Sequence, residues 1–396
     1  MTQRRILLAA PRGYCAGVER AILIVEQALD RYGPPVYVRK QIVHNAHVVA
    51  DLTARGAVFV EELEEVPEGA IVVYSAHGVA PAVRDEAQQR GLTAVDATCP
   101  LVAKVHAEAR RYARDGRHIL LIGHAGHEEI DGTLGEAPAH TTLIDSDTDL
   151  DRLVPPAAGG LTWLSQTTLA VDEVAETVRE LKDRFPALVD PPSDDICYAS
   201  QNRQDAVKAM APRCDLVLVV GSANSSNSLR LVDVALAHGA EAAHLIDDAG
   251  QADPVWLDKA ATVGVTAGAS APEHLVDGVL EWLRGKGFGE VEEVAVTVED
   301  ITFAAPPLPE RPPGRTGGPR PTTTDLPMPV PRPAPAGSAA HAAALHVGPP
   351  HAAWNPTPPR HAAAAGTAPT PGAPRQPARP AHPQSGPAGP DAGEAG

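Results

Sequence analysis

Three of the four cysteines in this 396-residue chain stand at near-even intervals: Cys15 in PRGYCAGVERA, Cys99 in VDATCPLV and Cys197 in DDICYASQNRQ, 84 and 98 residues apart. Each sits where an apolar run gives way to a helical pattern. Three thiolates from three separate segments are one short of the four that close a structural metal site. An iron–sulfur cluster held this way would leave one iron open to a substrate oxygen, so that the metal does chemistry. The competing reading is three unrelated buried or loop thiols, and for a single cysteine that is the better one.

Other loops add polar groups of a different kind. GHAGHEEIDG holds His124, His127 and Glu129, with glycines that permit close approach to a ligand. Beside a metal and an anion, Glu129 is a candidate proton donor. Equally, Glu128, Glu129 and Asp131 form an exposed acidic group suited to the first turn of a helix. GSANSSNS follows the apolar run DLVLVVG and opens a helix, where free amides and the helix dipole suit a phosphate. TAGASAP repeats the arrangement, with Ser270 as an N-cap before Pro272. Simple helix capping accounts for either loop alone; several histidines and two hydroxyl-rich helix starts together point to an anionic ligand.

These loops need a scaffold. Strands are expected at Ile6–Ala10, Ala57–Val60, Ile71–Ser75, Ala94–Asp96, His118–Ile122, Thr162–Ser165, Leu216–Val220, His244–Ile246 and Val263–Thr266. Amphipathic segments such as ERAILIVEQALDRY and DEVAETVRELKDRF lie between them. Alternation at this spacing predicts an α/β fold with parallel sheets covered by helices. In such folds ligands bind beyond the carboxyl ends of the strands, where the polar loops fall.

Composition narrows the function. Four cysteines in so long a chain exclude a disulfide scaffold. No stretch approaches eighteen apolar residues and no secretory signal pattern opens the chain, so the expectation is a cytoplasmic protein without a membrane span. Residues 304–396 hold 25 of the 40 prolines and carry about +3, which leaves roughly −20 on residues 1–303. Such an acidic body argues against nucleic-acid binding. The Pro/Ala-rich tail reads as disordered, with its scattered histidines (His341, His346, His351, His361, His382) as filler.

Nine blocks in order, PRGYCAGVERA, QIVHN, YSAHGV, VDATCPLV, GHAGHEE-DGT-GE, SQTTL-VDE, DICYAS-NRQ, GSANSSNS-RL and VTAGASAP, resemble the 4-hydroxy-3-methylbut-2-enyl diphosphate reductase family, from about Ile6 to Ile301. The resemblance implies three pseudo-symmetric lobes, each with a small parallel sheet, around a central cluster. Their bounds would be 1–98 with Cys15, 99–194 with Cys99 and 195–303 with Cys197, followed by the tail. It implies a 4Fe-4S cluster on Cys15, Cys99 and Cys197 with an open iron, and leaves Cys214 as a packed core thiol. It assigns the substrate diphosphate to His44, His77, His127, Ser225, Ser226, Asn227 and Ser270, with Thr167 in the active site and Glu129 as proton donor. His47, His106 and His124 match no ligand position, and Tyr14 replaces a frequent phenylalanine.

The implied reaction is reductive dehydroxylation of the allylic diphosphate to isopentenyl and dimethylallyl diphosphate, the last step of the non-mevalonate isoprenoid pathway. No GxGxxG loop follows a strand, so the electrons are expected from an external carrier such as ferredoxin or flavodoxin. Two other classes fit parts of the pattern: a hydro-lyase using an open iron without net electron transfer, and a non-catalytic protein with structural zinc.

Overall fold

Short runs rich in Val, Ile and Leu form thirteen strands among the described residues, and every pairing between them is parallel. The computed structural model describes residues 4–145, 150, 153–154 and 160–310. The expected tail from residue 311 onward, with its histidines, lies outside the described residues.

The strands build three sheets. The first comprises β2 (Val36–Arg39), β3 (Ala57–Val60), β4 (Ile71–Tyr74) and β5 (Thr93–Asp96) in the order β3-β2-β4-β5. The second comprises β6 (His118–Ile122), β7 (Thr141–Ile144), β8 (Leu161–Ser165) and β9 (Leu188–Val189) in the same pattern, β7-β6-β8-β9. The third repeats it with β10 (Leu216–Val220), β11 (Ala242–Ile246) and β12 (Thr262–Ala267), ordered β11-β10-β12. Its fourth place is taken by β1 (Arg5–Ala10), followed by β13 (Glu290–Ala295). One strand therefore crosses the lobe bounds expected from the sequence: the chain's first strand completes the third sheet. The reason is burial. RILLAA is apolar on both faces and must lie between strands, here β12 and β13.

Alternation of side chains divides the third sheet's core in two. Ile6, Leu8, Leu218, Val220, Val263 and Val265 pack on one face against Val276, Val279 and Leu283 of a helix at Glu273–Gly285. Leu7, Ala9, Val217 and Val219 pack on the other against Val207, Met210, Leu231 and Val234. Cys214 belongs to this second face: it is buried, its Sγ lies 3.3 Å from the Met210 carbonyl oxygen, and burial pushes its pKa up to about 12. It is the packed thiol expected of it.

All nine expected strands are present. Four more were not expected. β2 is a four-residue run behind Pro34 and Pro35, β7 begins with two threonines, β9 has two residues, and β13 mixes Glu with Val on an exposed edge. None has the apolar length that marks a buried strand in sequence. The folded part also runs past residue 303. Ala305 and Leu308 pack, as Tyr14, Ile22 and Tyr32 do, against the buried cluster that includes Val18, Ala21 and Val25, and Tyr32 Oη donates to the Pro309 carbonyl oxygen. No helix among the described residues is long and apolar enough to cross a membrane.

Candidate active site

Every expected site residue lies on a loop after the carboxyl end of a strand or in the first turn of the helix which that loop enters. Cys15 follows β1 and is the N-cap residue of α1 (Ala16–Tyr32); Cys99 follows β5 and is the N-cap residue of α4 (Pro100–Arg114). Cys197 follows β9 and is the N-cap residue of α7 (Tyr198–Met210), where its Sγ accepts from the Ser200 amide at 3.2 Å. Between these lie α2 (Ala46–Ala54), α3 (Pro81–Gln89), α5 (Glu128–Glu136) and α6 (Val171–Arg184); α8 (Ser226–Ala237) and α9 (Glu273–Gly285) follow. Three helix N-termini thus converge on three sulfurs, where a helix dipole is complementary to negative charge.

One cavity collects the set. It is lined by Cys15, Cys99 and Cys197, by His44, His77 and His127, by Glu129 and Thr167, and by Ser225, Ser226, Asn227 and Ser270. All twelve residues expected at the site meet there, although they span 256 positions of the chain. The sulfurs are close enough to repel one another as anions. Burial first, and the neighbouring thiols with it, push Cys99 up to about 12 and Cys197 up to about 11. Among the described residues, no lysine or arginine lines the cavity to offset that. Gly17 makes room for the group: a Cβ there would stand 2.7 Å from Cys99 Sγ and 3.8 Å from Cys15 Sγ.

The histidines form a compact trio. The His44 and His77 rings stack at 4.1 Å, and His127 stands edge-on at 5.6 Å from His44 and 5.7 Å from His77. Burial and the neighbouring rings hold His44 down at about 2 and His127 at about 3, so both are neutral. Their hydrogen bonds set the tautomer. His127 Nδ1 accepts the Glu129 amide at 3.2 Å, and His44 Nδ1 faces the Asn224 Nδ2 donor at 3.3 Å. Each imidazole then carries its proton on Nε2, free to donate to an anion. His77 Nδ1 instead lies 3.2 Å from Glu128 Oε2.

The adjacent glutamates separate in role. Neither is exposed, contrary to expectation, because the first turn of α5 faces the cavity. Glu128 joins His77 and Ser75. Glu129 is 2% exposed. Its Oε1 accepts the Thr167 amide at 2.6 Å and its Oε2 the Thr167 hydroxyl at 2.9 Å. Burial nonetheless raises its pKa above the usual carboxylate value.

The hydroxyl-rich loops are tied to the same centre. Ser225 caps α8, with its Oγ accepting the Ser228 amide at 3.3 Å. Ser226 Oγ accepts from Gln166 Nε2 at 3.1 Å and Thr168 Oγ1 at 3.0 Å. Asn227 Oδ1 accepts the Ala269 amide at 2.9 Å. Ser270 is not a helix cap. Pro272 occupies that place in α9, and Ser270 Oγ donates to the His44 carbonyl oxygen at 2.9 Å, fixing the His44 loop from another lobe.

Sequence reasoning missed Gln166 and Gly17, and read Glu128 only as a helix-start acid. Each lies within two residues of an identified residue in its motif, but nothing local distinguishes it from that residue's other neighbours. His47, His106 and His124 do not line the cavity. His47 pairs with Asp248, His106 with Glu136, and His124 with Asp145 and Arg230.

Comparison with known proteins shows the family. The LytB protein family matches residues 6–284. The chain is 62% identical over 307 residues to the 4-hydroxy-3-methylbut-2-enyl diphosphate reductase of Acidothermus cellulolyticus, covering 78% of this chain and 90% of that one. It is 63% identical over 305 residues to the enzyme of that name from Mycolicibacterium paratuberculosis, covering 77% and 92%. Among solved structures, the E-1-hydroxy-2-methyl-but-2-enyl-4-diphosphate reductase of Plasmodium falciparum superposes with a TM-score of 0.75 at 37% identity, over 77% of this chain and 96% of that one. A second, described as the terminal enzyme of the non-mevalonate pathway, gives 0.53 at 29% identity, over 72% and 100%. The chain belongs to the LytB family of 4-hydroxy-3-methylbut-2-enyl diphosphate reductases, the oxidoreductases of the terminal step of the non-mevalonate pathway.

Proposed function

We propose that Cys15, Cys99 and Cys197 hold one 4Fe-4S cluster and that the histidines, hydroxyls and Glu129 of the same cavity bind and protonate (E)-4-hydroxy-3-methylbut-2-enyl diphosphate. The observation that carries this reading is the convergence of the twelve residues on one cavity. The donor set fits the group. Three soft sulfurs at helix N-termini, mutually repelling and without a neighbouring cation, need a positive centre to be deprotonated together. The missing side chain at Gly17 leaves space beside two of them. When bound, such a cluster supplies the electrons of the reduction and, at the iron without a cysteine, a Lewis acid for the departing hydroxyl.

The remaining work belongs to side chains. His44 and His127 donate Nε2–H to the diphosphate as neutral imidazoles, with His77 beside them. Ser225, Ser226, Asn227 and Ser270 add hydroxyl and amide groups at the start of α8 and the β12 loop, where the helix dipole favours the anion. Anchoring the diphosphate fixes the allylic hydroxyl at the other end of the molecule, and this positioning lowers the barrier. Glu129, its acid form favoured by burial, passes a proton through the Thr167 hydroxyl to the leaving oxygen, which departs as water. A second proton adds at either end of the allyl system, giving isopentenyl or dimethylallyl diphosphate. The electrons come from a separate carrier such as ferredoxin or flavodoxin, and a reducing cytoplasm keeps the thiols free.

The test is anaerobic reconstitution of the full chain with iron and sulfide, then assay with a chemical reductant and the allylic diphosphate. Wild-type protein should hold iron and turn over only with reductant. Cys15→Ser, Cys99→Ser and Cys197→Ser should each lose both properties, whereas Cys214→Ser keeps both at a small stability cost. Iron retained by the first three variants and lost from Cys214→Ser would sink the assignment.

A further inference from the structure

Three cations outside the cavity join the cysteine loops in a closed cycle. Arg20, five residues after Cys15 on α1, donates from Nη1 to the carbonyl oxygens of Ala97 at 3.2 Å and Thr98 at 3.0 Å, the two residues before Cys99. Lys104, five residues after Cys99 on α4, donates from Nζ to the Asp194 carbonyl oxygen at 3.1 Å and to Asp195 Oδ1 at 3.3 Å, just before Cys197. Arg203, six residues after Cys197 on α7, donates to the Gly13 carbonyl oxygen from Nε at 3.0 Å and Nη2 at 2.6 Å, and to the Tyr14 carbonyl oxygen at 3.0 Å. Gly13 and Tyr14 are the two residues before Cys15. Each cysteine's helix thus grips the loop that carries the next cysteine, and the third grip returns to the first.

The links are built into the interior to different degrees. Arg203 is 0% exposed and also bonds the Ala199 carbonyl oxygen at 2.8 Å and Glu299 Oε1 at 3.0 Å. Asp195 is buried, and its second oxygen accepts the Ser165 amide at 3.0 Å, which ties the Cys197 loop to β8. Arg20 also donates from Nε to the Ala304 carbonyl oxygen at 3.0 Å. Residues 299 and 304 follow the last strand, so the end of the described chain secures two of the three cations.

The three cysteines come from segments that follow strands of different sheets, with no covalent link and no shared element. Non-covalent contacts hold their spacing, these cation grips among them, and a three-thiolate site with one ligand displaced is open to loss. We infer that Arg20, Lys104 and Arg203 form a cyclic brace whose role is to hold the three cysteines in register for the iron–sulfur cluster. They are positioning residues, acting through the peptides before each ligand. Residues that hold metal ligands in place without touching the metal commonly change metal retention by about 10–100-fold.

The inference rests on the three-cysteine cluster proposed above, and the test separates the two. Full-length Arg20→Ala, Lys104→Ala, Lys104→Arg and Arg203→Lys are reconstituted anaerobically beside wild type. Iron and sulfide per chain, the rate at which a chelator bleaches the visible absorption, and the melting temperature of the cluster-free protein are measured. Lys182→Ala, which removes an exposed partner of Asp190 outside the cycle, is the control. Arg20→Ala and Lys104→Ala should lose the cluster about 10-fold faster than wild type. Their cluster-free melting temperatures should stay close to wild type, because both side chains are only half-buried. Lys104→Arg should restore retention. Arg203→Lys keeps the charge but loses the forked grip on two carbonyls, and should also shed cluster faster. Unchanged bleaching in Arg20→Ala and Lys104→Ala, or equal acceleration in Lys182→Ala, overturns the brace while leaving the three cysteines as ligands. Wild type that takes up no iron overturns both.

Discussion

Glu129→Gln separates proton delivery from binding, because the two functions are carried by different atoms. In wild type Glu129 accepts the Thr167 amide on one oxygen and the Thr167 hydroxyl on the other. Glutamine keeps the first contact through its carbonyl oxygen, and its amide can donate to the hydroxyl, so the loop geometry survives. What it cannot do is give up a proton. General acid catalysis is worth about 10²–10⁴-fold, or about 3–5 kcal/mol of barrier at 1.36 kcal/mol per tenfold. We expect kcat to fall by that factor in an anaerobic assay with chemical reductant, while the substrate Kd changes by less than about threefold, well under 1 kcal/mol.

Stability supplies a second readout of the same group. Burial raises the Glu129 pKa in the folded state. Its contribution is therefore fully present below the unfolded carboxylate value and is lost as pH rises through the folded one. The glutamine variant has no such loss. The melting temperature of the cluster-free wild type minus that of the variant should fall from acid to neutral pH. Turnover of Glu129→Gln within about threefold of wild type would refute the proton-donor role, since about 10² is the least that general acid catalysis supplies. A melting difference that grows with pH would refute the buried, raised carboxyl.

Replacing His44 or His77 with alanine should act on binding first, raising KM by about 10–100-fold with a smaller change in kcat, the worth of one hydrogen bond to a charged group; a kcat defect at unchanged KM would remove them from the diphosphate. Gly17→Ala places a Cβ 2.7 Å from Cys99 Sγ, so iron per chain should drop after reconstitution while the cluster-free protein stays folded by circular dichroism; full iron content would show that the cradle has slack. A chain ending after Glu310 should match the full-length protein in melting temperature and turnover. One ending after Phe303 loses the Leu308 packing and the Tyr32 bond to Pro309 and should melt several degrees lower, for a loss of about 1–3 kcal/mol; equal melting of the two would place residues 304–310 outside the folded unit.

Local patterns in the sequence determined much of this protein. Buried strands such as β1, β10 and β12 announce themselves as continuous Val/Ile/Leu runs, because a strand covered on both faces must be apolar throughout. Cys15, Cys99 and Cys197 sit in motifs at the junction of strand and helix, and the turn between those elements is a local property. Tertiary structure alone decided the rest. β1 joins the third sheet because an apolar strand needs two neighbours, and those neighbours lie more than 250 residues away. Ser270 has the sequence of a helix cap yet bonds the His44 carbonyl oxygen, a partner 226 positions distant. Glu128 and Glu129 are chemically identical neighbours, and only the packing of α5 against the SQTT loop turns one to His77 and the other to Thr167. Arg20, Lys104 and Arg203 look like ordinary helix-surface cations in CAGVER, CPLVAK and CYASQNR. Their meaning depends on which loop lies opposite, and a sequence carries no local energy term for contacts made across three lobes.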